Sequence, residues 1–222
     1  CLSRGLGDVY KRQVKNKFAM AIQKIDDIYE LLKGNTQKKR LVVAYANDSH
    51  SIEAVNKAVE MGIVEATLCG DENEIRKVCT EHGFDISRFK IVHEPVDTKA
   101  AAKAVQMVRD KEADFIMKGL VSTDKYMRAI LNKDCGLLPP KATLSHVVVM
   151  ECPNYHKLLV FSDAAIIPAP DFSQKMAIVK YVTQIANALG VQRPKVAMIS
   201  ATEQVLPKVE STTDAAILAK MG

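Results

Sequence analysis

RLVVAYANDS, residues 40–49, is the stretch that decides the fold. Its apolar run is short, β-branched and bounded by polar residues, which predicts a buried strand over 40–46. The Asp48-Ser49 pair that follows supplies side-chain oxygens able to cap a helix, here expected to run to about Met61. The same sequence of events returns downstream. EATLCG at 65–70 predicts a second strand with Asp71 opening the next helix, and FKIVHE at 89–94 a third strand followed by an alanine-rich helix from Asp97 to Lys111. DFIMKG at 114–119 predicts a fourth, followed by a helix from about Thr123. Strands alternating with helices of this length require crossover connections, so the first half is expected to be an α/β, doubly wound, mostly parallel sheet with helices on both faces.

Working outward, the apolar spacing Phe18, Ile22, Ile25, Ile28, Leu31 and Leu32 predicts an amphipathic helix over 14–33, with Gly34 past its end. CLSRGLGDVYKRQ, residues 1–13, differs in texture from that run and is read as a non-native leader. After the fourth strand and its helix the grammar changes. KDCGLLPP at 133–140 is rich in turn residues, and TLSHVVVMEC and KLLVFSD then predict a hairpin joined by a Pro-Asn-Tyr turn. A long helix over 173–189, a strand at PKVAMIS and a helix over 213–221 complete the chain. The expected organisation is a first α/β domain over 14–138 and a second, incomplete α/β domain over 139–222.

Composition narrows the function. The 222 residues are 48% hydrophobic and carry a formal net charge of +5, of which the leader supplies +2. A surplus this mild suits small anionic ligands and gives little support to nucleic acid, which selects clustered Lys and Arg with stacking aromatics. No apolar run approaches the roughly 18 residues of a membrane span. The five cysteines form no C-x-x-C pair and none stands at zinc-ligand spacing from a histidine. There is no P-loop, H-E-x-x-H or G-x-S-x-G, and the one G-x-G lies in the leader without a strand before it.

The candidate sites lie at strand ends, where open α/β sheets bind ligands. In MKGLVSTDKYMRAIL, residues 117–131, Ser122, Thr123 and Asp124 are capping types at a helix start that can hold a phosphate or carboxylate. Lys118 ends the strand, and Arg128 offers a planar guanidinium able to grip phosphate oxygens or, equally, to pair with Asp124 one turn back. In KLLVFSDAAIIPAPDFSQK, residues 157–175, Ser162 and Asp163 stand where the apolar run stops, and Pro168 and Pro170 punctuate the loop. Asp163 suits either a ligand or the turn before Pro168. Ser145-His146 opens an apolar strand, where the histidine reads as a base or a satisfied core residue.

MKGLVSTDKYMRAIL, SHVVVME, KLLVFSDAAI, the Ala169-Pro170-Asp171 loop and PKVAMISATEQVLPKVESTTDAAILAKM together resemble the phosphate acetyl/butyryltransferase family, on its butyryl side. The resemblance runs from Val14 to the end. It implies a two-domain α/β enzyme, cytoplasmic, homo-oligomeric, with an interdomain active site. That enzyme would convert butyryl-CoA and phosphate to butyryl phosphate and CoA, with CoA as substrate, no bound cofactor, no metal and no nucleic-acid or membrane partner. It assigns catalysis to Arg128, Ser162 and Asp163, and substrate or phosphate binding to Lys118, Ser122, Thr123, Ser145, His146 and Pro170. Ile167 stands where the family often has asparagine, and Ala169 where one acetyltransferase pattern has cysteine. The family's final segment, with its Ser-Arg-x-Asp motif, is expected beyond residue 222, leaving this length inactive by itself. The rival reading is a non-catalytic acyl-CoA-sensing domain of a larger enzyme.

Overall fold

The computed structural model describes residues 21–33 and 37–222. Contacts divide them into two units, one of residues 29–142 and one joining the segment up to Ile28 with Thr143–Gly222.

Helix α1, Ile25–Lys33, comes first. It starts later than the apolar spacing predicts, because residues 22–24 are held otherwise. The Ile22 N–H donates to the Leu189 carbonyl (2.9 Å), and the Lys24 N–H to the Asp27 carboxylate (3.1 Å). The expected helical residues 14–20, the leader and Gly34 lie outside the described residues. Through Ile22 and through the Ile25 N–H, which donates to Glu151 Oε2 (2.8 Å), the opening segment joins the later unit, whereas the sequence places it in the first domain.

The unit of residues 29–142 holds four parallel strands: β1 (Lys39–Ala44), β2 (Val64–Gly70), β3 (Phe89–His93) and β4 (Phe115–Lys118). Their order is β3-β2-β1-β4. Helices α2 (Ser49–Glu60), α3 (Glu72–His82) and α4 (Asp97–Arg109) make the crossovers, and α5 (Thr123–Ile130) follows β4. Alternation along β1 explains why both faces are covered. Leu41 and Val43 pack with Ile52 and Val55 of α2 and Ile75 and Cys79 of α3. Val42 and Ala44 point the other way, onto Ala100, Ala101 and Ala104 of α4, whose small side chains let the helix lie close to the strands. Asp48 and Asp71 cap α2 and α3 as their positions predict, accepting from the Ser51 N–H (2.9 Å) and the Asn73 N–H (2.9 Å).

The chain reverses its winding between β1 and β4, the switch point at which open sheets leave a crevice. The register here is pinned at the start of both strands by Arg40 and Asp114, whose carboxylate takes the Arg40 N–H (2.8 Å) and its guanidinium (3.1 Å). Those bonds hold the Asp114 carboxyl down at about 2. At the other end Gly119 donates to the Ala44 carbonyl (2.9 Å), and a Cβ at this position would run into the Tyr45 carbonyl. Glycine is required there by the closeness of the two backbones.

The second unit contains a two-stranded antiparallel ladder, β5 (Val148–Met150) with β6 (Leu159–Phe161), helix α6 (Phe172–Ala188) and helix α7 (Glu210–Met221). The hairpin is present but its ladder is only three residues long. PKVAMIS is not a strand: residues 194–200 pair with no other strand among the described residues, and Ile199 is 88% exposed. An apolar run becomes a strand only where a neighbour takes its backbone groups. Helix α6 begins at a capping box, with the Gln174 N–H donating to Asp171 (2.8 Å) and the Asp171 N–H to the Gln174 amide oxygen (2.9 Å). Among the described residues no helix is long and apolar enough to cross a membrane.

Candidate functional site

The predicted site residues fall on both units. Lys118, Ser122, Thr123 and Arg128 belong to the sheet unit, and Ser145, His146, Ser162, Asp163 and Pro170 to the hairpin unit.

On the sheet unit the geometry is that of a capped, exposed helix start. Ser122 is the N-cap of α5 and its hydroxyl accepts from the Lys125 N–H (3.4 Å). Thr123 is exposed in the first turn, and Lys118, also exposed, reaches the Gly119 carbonyl (3.4 Å). Lys125 pairs with Asp97 of α4 (2.6 Å), a bond that holds the Asp97 carboxyl below its usual range. Arg128 donates to Asp124 (2.9 Å) one turn back and is 79% exposed. That is the surface pair the spacing allowed, worth about 0.2–0.5 kcal/mol.

On the hairpin unit the structure brings four of the predicted residues together. Asp163 is the second residue past β6, and the register Val148↔Phe161, carried two residues further, sets His146 opposite it. The carboxylate rather than a backbone ladder then joins the two segments. Asp163 Oδ1 accepts from the N–H groups of Ala165 and Ile166, both at 2.8 Å. Its Oδ2 accepts from the Ser145 hydroxyl (2.9 Å) and the His146 N–H (3.1 Å). Ser145 Oγ also lies 3.0 Å from Ser162 Oγ. Burial works against the Asp163 charge, but the Ile166, Ala165 and His146 N–H groups and the Ser145 hydroxyl outweigh it. They hold the carboxyl well below the usual carboxylate range. An oxygen pair serving four donors is a poor proton acceptor, so Asp163 is suited to fixing the loop and the two serines. His146 is exposed, and the part of it bonded to Asp163 is its backbone N–H. Pro170 is half-buried one residue before the α6 cap.

Sequence reasoning missed one polar cluster in this unit. Lys175 of α6, 15% exposed, donates to Asp214 of α7 (2.6 Å), which is 10% exposed, with Glu210 at 3.4 Å. Asp214 foremost holds the ammonium above its usual range. Nothing local could have revealed a pair 39 residues apart. The thiols divide by burial. Cys69 is pushed up to about 11 and Cys79 is also raised, both by burial, which removes them as ready nucleophiles, while Cys135 is exposed. No group of three metal-ligating side chains occurs among the described residues.

A family model described as "Phosphate acetyl/butaryl transferase" matches residues 24–100 and 89–221. The phosphate butyryltransferase of Clostridium acetobutylicum is 42% identical over 200 residues, covering 90% of this chain and 66% of that protein. The phosphate acetyltransferase of Thermotoga maritima is 36% identical, over 89% of this chain and 66% of its own length. Among solved structures, a branched-chain phosphotransacylase from Enterococcus faecalis V583 superposes with a TM-score of 0.69 at 26% identity, covering 82% of this chain and 63% of that one. The chain therefore spans just under two thirds of the length of these relatives.

Proposed function

The chain belongs to the phosphate acetyl/butaryl transferase family, and from that premise we propose that it serves an acyltransferase moving a short-chain acyl group between CoA and inorganic phosphate. The reaction is butyryl-CoA plus phosphate to butyryl phosphate plus CoA. The thioester C–S bond breaks, a C–O bond to phosphate forms, and the departing sulfur takes a proton. The observation that carries the reading is the family match, which runs over both units rather than over the widespread parallel sheet alone.

Such a transfer develops negative charge on the acyl oxygen while handling polyanionic substrates, so fixed cations and N–H groups do most of the work. Lys118, the start of α5 with Ser122 and Thr123, and Arg128 are the groups proposed for the anion. Ser162 is the group proposed to face the substrate, with Asp163, Ser145 and the His146 N–H holding it in place and Pro170 stiffening the loop beyond. The buried Cys69 and Cys79 thiols are set aside as nucleophiles in this reading. CoA is a substrate and not a resident cofactor in this reading, and a cytoplasmic homo-oligomer is its proposed setting.

The test is acyl transfer by the protein expressed from its complete reading frame. Butyryl-CoA and acetyl-CoA are each supplied with phosphate, and free thiol and acyl phosphate are followed together. Phosphate-dependent release of both products in equal amounts is expected. Thioester loss that ignores phosphate would refute the proposal.

A further inference from the structure

The serine pair beside Asp163 has a fixed polarity. A hydroxyl carries one proton, and an ionised carboxylate can only accept. Ser145 lies 2.9 Å from Asp163 Oδ2, so its single proton is committed to the carboxylate. The 3.0 Å contact between the two serines must then run the other way, with Ser162 donating to Ser145. Ser162 has now spent its own proton as well. What remains on its oxygen, at the half-buried outer end of the chain Ser162→Ser145→Asp163, is lone pairs alone. Such a chain also polarises each member in the same sense.

We propose that Ser162 Oγ meets its ligand as an acceptor, taking the thiol S–H or an amide N–H of the CoA arm, and that Ser145 is the positioning residue that enforces this. The inference rests on the acyl-transfer reading given above and deepens it. The oxygens of phosphate and of an acyl phosphate are themselves mostly acceptors, so they meet lone pair with lone pair at Ser162. The pantetheine arm of CoA carries two amide N–H groups and, once the acyl group has left, a thiol. Ser162 thus selects the CoA side of the reaction and is unsuited to stabilising an oxyanion, a duty a serine hydroxyl would otherwise be expected to share.

The test uses the protein from its complete reading frame, with KM for CoA and for phosphate species measured separately. Ser162→Ala should raise the KM for CoA roughly threefold to tenfold, the weight of one hydrogen bond between neutral groups, and leave that for phosphate unchanged. Ser162→Cys keeps the volume with a weak acceptor and should repeat the loss, which guards against an alanine variant that folds badly. Ser145→Ala frees the Ser162 proton but leaves its lone pairs, so CoA binding should weaken less than in Ser162→Ala while the released donor lowers the phosphate KM, and Ser145→Thr, which keeps the relay, should return both to wild type. Inhibition by desulfo-CoA identifies the donor. If Ser162→Ala spares desulfo-CoA the partner is the thiol, and if it weakens desulfo-CoA equally the partner is an amide. A raised phosphate KM in Ser162→Ala, or an unchanged phosphate KM in Ser145→Ala, overturns the inference while the acyl-transfer reading stands. A wild-type protein that neither binds CoA nor releases acyl phosphate overturns that reading itself.

Discussion

Replacing Asp163 by Asn separates the geometry of the hairpin unit from its charge. The amide keeps the shape and one acceptor oxygen. Its NH2 end must face either the Ala165 and Ile166 N–H groups or the His146 N–H and the Ser145 hydroxyl, because all four point at the side chain. Two hydrogen bonds to a charged acceptor are lost, each worth about 1.5–3 kcal/mol, and two donors are set against donors. Water reaches this half-buried loop and recovers part of the loss, so a net cost of about 2–4 kcal/mol is expected, or roughly 4–16 °C in the melting of a chain this size. Thermal melts by circular dichroism from pH 7 down to pH 2 supply the check. The Asp163 carboxyl is held below its usual range in the folded protein, so its contribution is full above the unfolded value of about 3.9 and is lost as pH falls toward the folded one. The gap between wild type and Asp163→Asn should therefore close as the pH drops below about 4. A gap that is absent at pH 7, or that stays constant down to pH 2, would refute the assignment of these four bonds to an ionised Asp163.

Lys175→Met strands the buried Asp214 carboxylate and should cost about 2–4 kcal/mol in thermal melts, whereas the joint change with Asp214→Leu should recover most of it. Gly119→Ala forces a Cβ against the Tyr45 and Ala44 carbonyls, backbone on both counts, and should lower stability by about 1–3 kcal/mol or more, visible as a lower urea midpoint with an unchanged slope. Arg128→Gln removes only an exposed pair, so melting should stay within about 2 °C of wild type. In the acyl-transfer assay the same variant should raise the phosphate KM, and unchanged phosphate kinetics would remove Arg128 from the anion site.

The sheet unit was legible because a parallel strand buried on both faces shows itself as an apolar run, and because the side chains that cap its helices sit at fixed offsets from those runs. Asp48, Asp71 and Ser122 all cap where their spacing predicts. Strand formation itself is not a property of a segment. PKVAMIS has the same apolar texture as RLVVAYA, yet only the latter has β2 and β4 to bond with. The two short strands of the hairpin were found for a related reason: each borders the other across a turn, so the partner is local.

At the candidate site the residues were legible and their connection was not. Ser145-His146 and Ser162-Asp163 each stand out as small polar pairs at the edge of an apolar run, but their meeting depends on the hairpin register, which sequence does not fix when the turn is long. With the register in place, the division of labour follows from counting protons. Asp163 has four donors on two oxygens, so it is saturated and acidic, which suits it to anchoring the loop. Ser145 gives its proton to the anchor and Ser162 gives its proton to Ser145. In the proposed arrangement the carboxylate stands two hydroxyls away from the ligand, and the group that would meet the ligand is Ser162.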